Sequence, residues 1–244
     1  MRTLKLTIAY DGTRYAGWQI QPARATVQGV LQRALRRILQ ERVYVIGSGR
    51  TDAGVHALAQ AAHIKTRSDM PVGRLRRALS GTLPPDIAVT AITEVSPRFQ
   101  AQFHAKRKRY RYQIVNGPVV LPFERLYVHQ VQAPLNVALM RREAAVLRGR
   151  HDFRAFCAAG SSVTDTRRTI SRLQVRRQRG RITIDVEADG FLYNMVRGIA
   201  GTLIDIGRGR LSAGTMRRIL RTKDRRLLGQ SAPGRGLMLM AVVY

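Results

Sequence analysis

One aspartate, Asp52, lies in a loop whose neighbours could hold it as a charged group. It follows Arg50 and precedes Gly54 in a glycine-rich stretch, residues 47–57. The chain has 15 acidic and 43 basic residues, so this carboxylate lies in a strongly positive chain. A carboxylate near fixed positive charge stays ionised, and on a tight loop it can act as a nucleophile or a base. The alternative is a turn-forming aspartate, which is the common use of this residue in such loops.

A second candidate site is the run of alternating cations and aromatic residues at positions 106–112. On a strand, Tyr110, Tyr112 and Ile114 share one face, and the arginines between them share the other. Aromatic faces beside cations suit single-stranded or flipped bases. The alternative is that the tyrosines pack in the core. We favour the core for Tyr112 and leave both interpretations open for Tyr110.

A third candidate is Arg197, at the edge of an apolar stripe on a helix predicted at residues 191–206. The small neighbours Ala200 and Gly201 leave room for its guanidinium to fold toward a cleft. An arginine at such a position usually extends its charge into solvent. If Arg197 instead reaches Asp52, it supplies the positive partner that an ionised carboxylate needs.

The net charge of +28 over 244 residues indicates a polyanionic partner. Self-repulsion of that size weakens a compact state, and nucleic acid is the best fit because Arg and Lys release counterions from phosphates. The excess of Arg over Lys suits phosphate contacts, but a GC-rich genome would produce the same bias. We find no basic amphipathic helix, lipidation motif, signal-peptide layout or long apolar run, and therefore expect a cytoplasmic protein with no membrane association.

Metal and cofactor chemistry is not indicated. The one cysteine, Cys157, permits neither an intramolecular disulfide nor a cysteine-based metal site, and its flanking residues favour a small buried hydrophobic role. The histidines lie far apart without paired ligand spacing. No phosphate-binding loop or dinucleotide fingerprint is present. We therefore expect no cofactor and no metal, with side chains carrying any chemistry.

The elements that must position these residues follow from apolar periodicity. Helices are predicted at 27–39, with Thr26 as N-cap, and at 72–79, closed by Gly81; further helices are predicted at 135–147, 191–206 and 212–221. Strands are predicted at 3–10, 43–48, 57–64, 87–95, 108–115, 169–178, 181–188 and 237–243. This pattern predicts an α+β fold of two α/β lobes, each a mainly antiparallel sheet with packed helices. The expected domains are residues 1–101 and 102–244.

Several motifs together resemble the tRNA pseudouridine synthase I family, over nearly the whole length. The two strongest are residues 10–19 and the aspartate loop at 49–56. The remaining matches, in the same order as in the family, are residues 109–112, 151–156, 194–197 and the closing segment 236–244. Order and spacing across the chain make coincidence an inadequate explanation.

The resemblance implies an isomerase that converts uridine to pseudouridine at positions 38, 39 and 40 of the tRNA anticodon arm. It implies that Asp52 is catalytic, that Tyr110 lies against the target base, that Arg197 pairs with the carboxylate and that Arg50 lies beside it. It also implies a homodimer, with one tRNA contacting both subunits, a basic cleft between the two lobes of each subunit, and no metal or cofactor.

Two departures and two rival functions accompany this interpretation. Gln102 stands where the family commonly has arginine, which puts one charge contact in doubt, and Ala59 replaces a common glycine. A non-catalytic RNA-binding protein would explain the charge and the Arg–Tyr run equally well. It would not explain an acid in an Arg- and Gly-bounded loop of so basic a chain, because an acid there repels phosphate. An enzyme acting on a free nucleotide or small anion is the second rival, and it predicts a shallow salt dependence of binding.

Overall fold

The computed structural model describes residues 1–158, 160 and 163–244. They form two compact units: residues 1–106 with 239–244, and residues 107–238. Each unit combines mainly antiparallel strands with helices, so the predicted α+β class is confirmed. No helix within the described ranges has the length and apolar character needed to span a membrane.

The strands of the first unit are β1 (Arg2–Tyr10), β2 (Ile46–Gly47), β3 (His56–Thr66), β4 (Ile87–Val95) and, from residue 239 onward, β10 (Leu237–Val243). Strand β1 runs antiparallel to both of its neighbours, β3 and β4. The strand order is β4-β1-β3-β10, and β2 pairs with β3. Leu4, Leu6 and Ile8 on β1 are fully buried, as expected for a half-buried strand with a period of two.

Two helices pack in the first unit, α1 (Val27–Leu39) and α2 (Val72–Thr82). The predicted N-cap is confirmed, because the Thr26 hydroxyl accepts from the Gly29 amide at 3.3 Å. The predicted end of α2 is wrong: Gly81 lies inside the helix, which ends where Leu83 turns to extended backbone. Leu75 and Leu79 are the buried residues of α2, so packing sets its length more than the glycine does.

The second unit contains the strand that carries the Arg–Tyr run. Its strands are β5 (Arg107–Asn116), β6 (His129–Val131), β7 (Gly149–Asp152), β8 (Arg167–Gln178) and β9 (Arg181–Ala188). The order β5-β9-β8-β7 is antiparallel throughout. The β8–β9 hairpin turns at Arg179 and Gly180 as predicted, and both have positive φ, the geometry that matches strand twist. Strand β6, which pairs parallel to β5, and strand β7 are absent from the sequence predictions.

The helices of the second unit are α3 (Val137–Ala145), α4 (Met195–Gly207) and α5 (Thr215–Thr222). Helix α4 begins four residues later than predicted, because Asn194 takes the left-handed conformation with φ of 62° immediately before it. Met195, Ile199 and Leu203 on α4 are fully buried. The helix thus forms the core of this unit while holding Arg197 in its first turn.

Candidate active site

Asp52 lies, half-buried, on the loop that connects β2 to β3 in the first unit. The loop reverses direction through backbone contacts: the Val55 amide donates to the Asp52 carbonyl oxygen at 3.1 Å, and Gly54 has a φ of 72°. Main-chain atoms of Asp52 thus take part in closing the reversal. Arg50, two residues earlier, is exposed.

The segment that follows β1 holds the aspartate loop in place. The Tyr10 hydroxyl and Thr51 Oγ1 are 2.8 Å apart in the core. The Trp18 amide donates to the Thr51 carbonyl oxygen at 3.0 Å, and the Gly54 amide donates to that of Tyr15 at 3.4 Å. Burial raises the pKa of Tyr10, which keeps its hydroxyl protonated. Three contacts therefore fix the residues on both sides of Asp52.

Two glycines allow this close approach. A Cβ on Gly12 would lie 2.0 Å from the Val55 carbonyl oxygen, and one on Gly17 would lie 2.5 Å from the Thr51 carbonyl oxygen. Gly17 also has a φ of 95°, which side chains on L-residues rarely tolerate. The glycines of the 10–19 motif thus provide the space in which the two loops meet.

Asp86 anchors the same segment through contacts of its own. Its carboxylate accepts from the Tyr15 hydroxyl at 2.6 Å and from the Arg14 guanidinium at 2.5 Å. Its carbonyl oxygen accepts from the Asp11 amide at 2.9 Å. Sequence reasoning did not select Asp86, because an aspartate after a Pro-Pro pair carries the ordinary signature of a turn.

A buried polar pair holds the other end of the aspartate loop. The Ser48 hydroxyl donates to Gln60 Oε1 at 2.8 Å, and Gln60 Nε2 donates to the Gly49 carbonyl oxygen at 3.0 Å. A Cβ on Gly47 would lie 2.5 Å from Trp18 Nε1, so the indole packs directly on the backbone there. The loop around Asp52 is therefore pre-organised at its beginning and its end, which suits a catalytic group that must be aimed.

Tyr110 lies on β5 in the second unit, and its side chain is 8% exposed. The Phe191 ring packs edge-to-face against it, with ring centroids 5.1 Å apart. Tyr112 shares its face of the strand and is fully buried, which confirms the core placement favoured for that residue. Tyr110 is thus the outermost buried aromatic residue of this strand, at its charged end.

Arg197 is half-buried, in contrast to the solvent-extended arrangement that is usual for such positions. Its Nε donates to the Ala232 carbonyl oxygen at 2.8 Å, and its Nη1 donates to Asn194 Oδ1 at 2.7 Å. The space beside Gly201 does not hold the guanidinium, because a Cβ there would lie 1.8 Å from the Gln230 carbonyl oxygen. The small residues of α4 instead admit the backbone that Arg197 then binds.

The segment after Gln230 is clamped from two sides in the second unit. Arg197 holds Ala232 as described, and the Tyr112 hydroxyl donates to the Pro233 carbonyl oxygen at 3.0 Å. Burial raises the pKa of Tyr112, although the nearby Arg197 and Arg235 oppose that rise. The two hydrogen bonds of Arg197, to Ala232 and Asn194, hold its guanidinium in a fixed orientation.

Comparisons with known proteins identify the family. A family model described as tRNA pseudouridine synthase matches residues 6–104 and 144–244. A protein named tRNA pseudouridine synthase A from Thermoanaerobacter sp. (strain X514) is 45% identical over 244 residues, and the match covers 100% of both chains. One of the same name from Moorella thermoacetica is 48% identical over 246 residues, again with 100% of both chains covered. The chain therefore belongs to the tRNA pseudouridine synthase family, and it is an isomerase.

The resemblance drawn from the sequence motifs is thereby confirmed. Among solved structures, a chain from a crystal structure of a Cbf5-Nop10-Gar1 complex matches 96% of this chain and 57% of its own length. The TM-score is 0.39 and the identity is 11%, which is too distant to inform the site.

Proposed function

We propose that this protein isomerises uridine to pseudouridine at positions 38, 39 and 40 of the tRNA anticodon stem and loop, with Asp52 as its catalytic residue. The observation that carries the proposal is the pre-organised Asp52 loop in a chain of this family. Its flanking residues Thr51 and Gly54 are bonded to the 10–19 segment. Such rigidity is expected where a reacting group must be aimed at a substrate atom.

The reaction needs no co-reactant, because product and substrate are isomers. The N1–C1′ glycosidic bond breaks, the uracil turns, and a C5–C1′ bond forms. The C5 hydrogen leaves as a proton and N1 acquires one, so atoms and electrons balance. Asp52 serves as nucleophile toward the sugar or the base, or as the base that removes a proton. No metal or cofactor is required for any of these steps.

The other site residues have supporting roles in this proposal. Tyr110 lies against the uracil and limits its movement while it turns. Arg197 keeps Asp52 ionised and oriented, and Arg50 adds positive charge beside it. Extrusion of a base from its stack costs about a few kcal/mol, which phosphate binding by a basic protein offsets.

The same proposal includes the working assembly and its location. We infer a homodimer in which one tRNA contacts both subunits, with a basic cleft between the two lobes of each, and a cytoplasmic enzyme. These features come from the family resemblance, and the charge of +28 supports the RNA partner. Sedimentation of the free protein and of its tRNA complex would measure the assembly directly.

The Asp52→Asn variant tests the catalytic role. It removes the negative charge while keeping the side-chain shape, so we expect pseudouridine formation to fall by at least about 10³-fold, the scale of losing a central catalytic group. Binding of tRNA should persist, because an acid does not attract phosphate. The assay starts from unmodified tRNA and measures the stable adduct that a carbodiimide forms with pseudouridine. Filter binding measures tRNA affinity in parallel.

The matched control is Asp69→Asn, the same change at an exposed aspartate. It should leave turnover at the wild-type level. Substantial turnover by Asp52→Asn would refute the catalytic assignment. Transcripts with the uridines at 38, 39 and 40 replaced singly by cytidine test the positions, and modification that survives replacement of all three would contradict that part of the proposal.

A further inference from the structure

An exposed tyrosine in the first unit lies between two arginines. Burial alternates along residues 42–46, which lead into β2, and Val43 and Val45 are buried. The alternation places Arg42, Tyr44 and Ile46 on the solvent side. Tyr44 is 54% exposed, although large aromatic side chains usually find cover.

Both arginines are held over the tyrosine ring. The guanidinium carbon of Arg36, from the last turn of α1, is 5.6 Å from the ring centroid, and that of Arg42 is 5.5 Å from it. Both distances lie in the range for cation–π attraction. Arg36 is also fixed to the backbone, because its Nε donates to the Val43 carbonyl oxygen at 3.1 Å. These three side chains, Arg36, Arg42 and Tyr44, are called the Tyr44 cluster.

The cluster lacks a protein counterion within the described part of the chain, since neither arginine forms an ion pair there. The adjacent acid, Glu41, is engaged elsewhere: it accepts from the Thr66 hydroxyl and, at 3.2 Å, from the Arg67 amide. Arg33 and Arg37 on the same helix are exposed and add to the positive charge. Two guanidinium groups gathered on one ring repel each other, and a bound anion would relieve that repulsion.

We propose that the Tyr44 cluster binds a backbone phosphate of the RNA substrate. Guanidinium groups match phosphate geometry through paired N–H donors. Contact with phosphate is favoured over stacking with a base, because two cations already lie over the ring and would themselves attract the anion. The inference rests on the proposed action on tRNA and adds a binding contact that is not made by Asp52, Tyr110 or Arg197.

Arg42→Ala and Tyr44→Leu, made in the full chain, test the proposal. With Arg42→Ala, the slope of log K against log salt for tRNA binding should become shallower by about 1, the loss of one phosphate contact. Tyr44→Leu leaves the charge unchanged but removes the platform, so the dissociation constant should rise about two- to fivefold. Tyr44→Phe keeps the ring and should bind as the wild type does.

Arg226→Ala is the control for loss of charge alone. Arg226 is exposed and paired with Asp224 at 2.9 Å, so its removal should change the slope less than Arg42→Ala does. Equal slopes for the two variants, or wild-type affinity for Tyr44→Leu, would overturn the proposal. Binding of uridine monophosphate should be unaffected by Arg42→Ala; if it is lost, the cluster binds a free nucleotide and the assignment to polymeric RNA fails.

Turnover separates this inference from the proposed function. Arg42→Ala should raise KM for tRNA while kcat stays at the wild-type value, because the contact is present in both ground and transition states. If the wild-type chain forms no pseudouridine, the proposed function fails while the binding slopes still report on the cluster. If the wild type is active but its slope equals that of Arg42→Ala, the cluster proposal alone fails.

Discussion

At the scale of single residues, the site depends on glycines, which have no Cβ, as much as on the side chains around them. Gly12 and Gly17 have no side chain where the backbone of the aspartate loop passes. The residues that do carry side chains, such as Tyr10 and Trp18, then bond to or pack against that loop. The 10–19 motif is therefore explained by the positioning of Asp52.

Gly17→Ala tests this explanation. The added methyl would meet the Thr51 carbonyl oxygen at 2.5 Å on a backbone with a φ of 95°. We expect unfolding free energy to fall by about 2 kcal/mol or more, and turnover to fall further than the loss of folded protein explains. Chemical denaturation and single-turnover rates provide both measurements.

The matched control is Gly73→Ala, because nothing lies within 4 Å of a Cβ at that exposed helical position. It should be neutral or stabilise by up to about 1 kcal/mol. Equal effects of the two substitutions would contradict the explanation that Gly17 is required by the close approach of the Thr51 carbonyl oxygen.

Single-residue predictions from the sequence succeeded where the residue acts through its own strand or helix. Burial of Tyr112 followed from strand alternation, and the Thr26 cap followed from local helix signals. The partners of Arg197 could not be predicted, because Ala232 lies 35 residues away and is recognised through its backbone. Backbone acceptors carry no side-chain signature in a sequence.

At the scale of elements, helix ends were the least predictable feature. Helix α5 shows why, because its N-terminus is capped by a side chain from another helix. The buried carboxylate of Glu143, on α3, accepts from the Gly214 amide at 2.7 Å and from the Met216 amide at 3.0 Å. A negative charge there also complements the helix dipole. No local signal could reveal a cap that comes from so far along the chain.

Glu143→Ala should therefore destabilise the N-terminus of α5. Two amides, of which that of Met216 is buried, lose their acceptor, and the expected cost is about 2 kcal/mol of unfolding free energy. Hydrogen exchange at the Met216 amide should accelerate more than exchange in α1. Glu143→Gln retains an acceptor oxygen and should cost less than alanine; a glutamine variant as unstable as the alanine variant would contradict the capping role.

The sequence predicts the β8–β9 hairpin well, because its two strands carry a strong local pattern. The β8–β9 hairpin follows from its apolar alternation and its Arg-Gly turn. The predicted strand at 43–48 shortens to the two residues of β2, Ile46 and Gly47, which pair in register with His63 and Ala62 of β3. The sequence misses β6 and β7: β6 pairs in parallel across a loop and β7 has four residues, so neither leaves much local pattern.

At the scale of the whole molecule, the main feature is the high positive net charge. The net charge of +28 is fixed by composition, while the fold class follows from element patterns, and both were predictable from the sequence. The chemistry became predictable only through the family motifs, because an aspartate in a glycine-rich loop has several common uses.

The charge predicts how stability responds to salt. Like charges at this density repel within the folded state and are screened within about 10 Å at 0.1 M salt. We expect the Tm to rise as sodium chloride increases from about 10 mM to about 0.2 M, and to rise further when tRNA is added. Differential scanning fluorimetry at fixed protein concentration makes the comparison. A Tm that falls or stays flat over that range would show that self-repulsion does not limit stability.

The last strand has a consequence for how the chain is made. Residues 239–244 complete the first unit, where the Val243 carbonyl oxygen accepts from the Lys106 amide at 2.8 Å and the Tyr244 hydroxyl donates to the Ala101 carbonyl oxygen at 2.9 Å. During translation, strand β3 emerges long before its neighbour β10 exists. The nascent amino-terminal half therefore carries an unpaired sheet edge, which can pair with other chains. The edge stays unpaired until the ribosome has synthesised residues 107–238 and the strand that follows them.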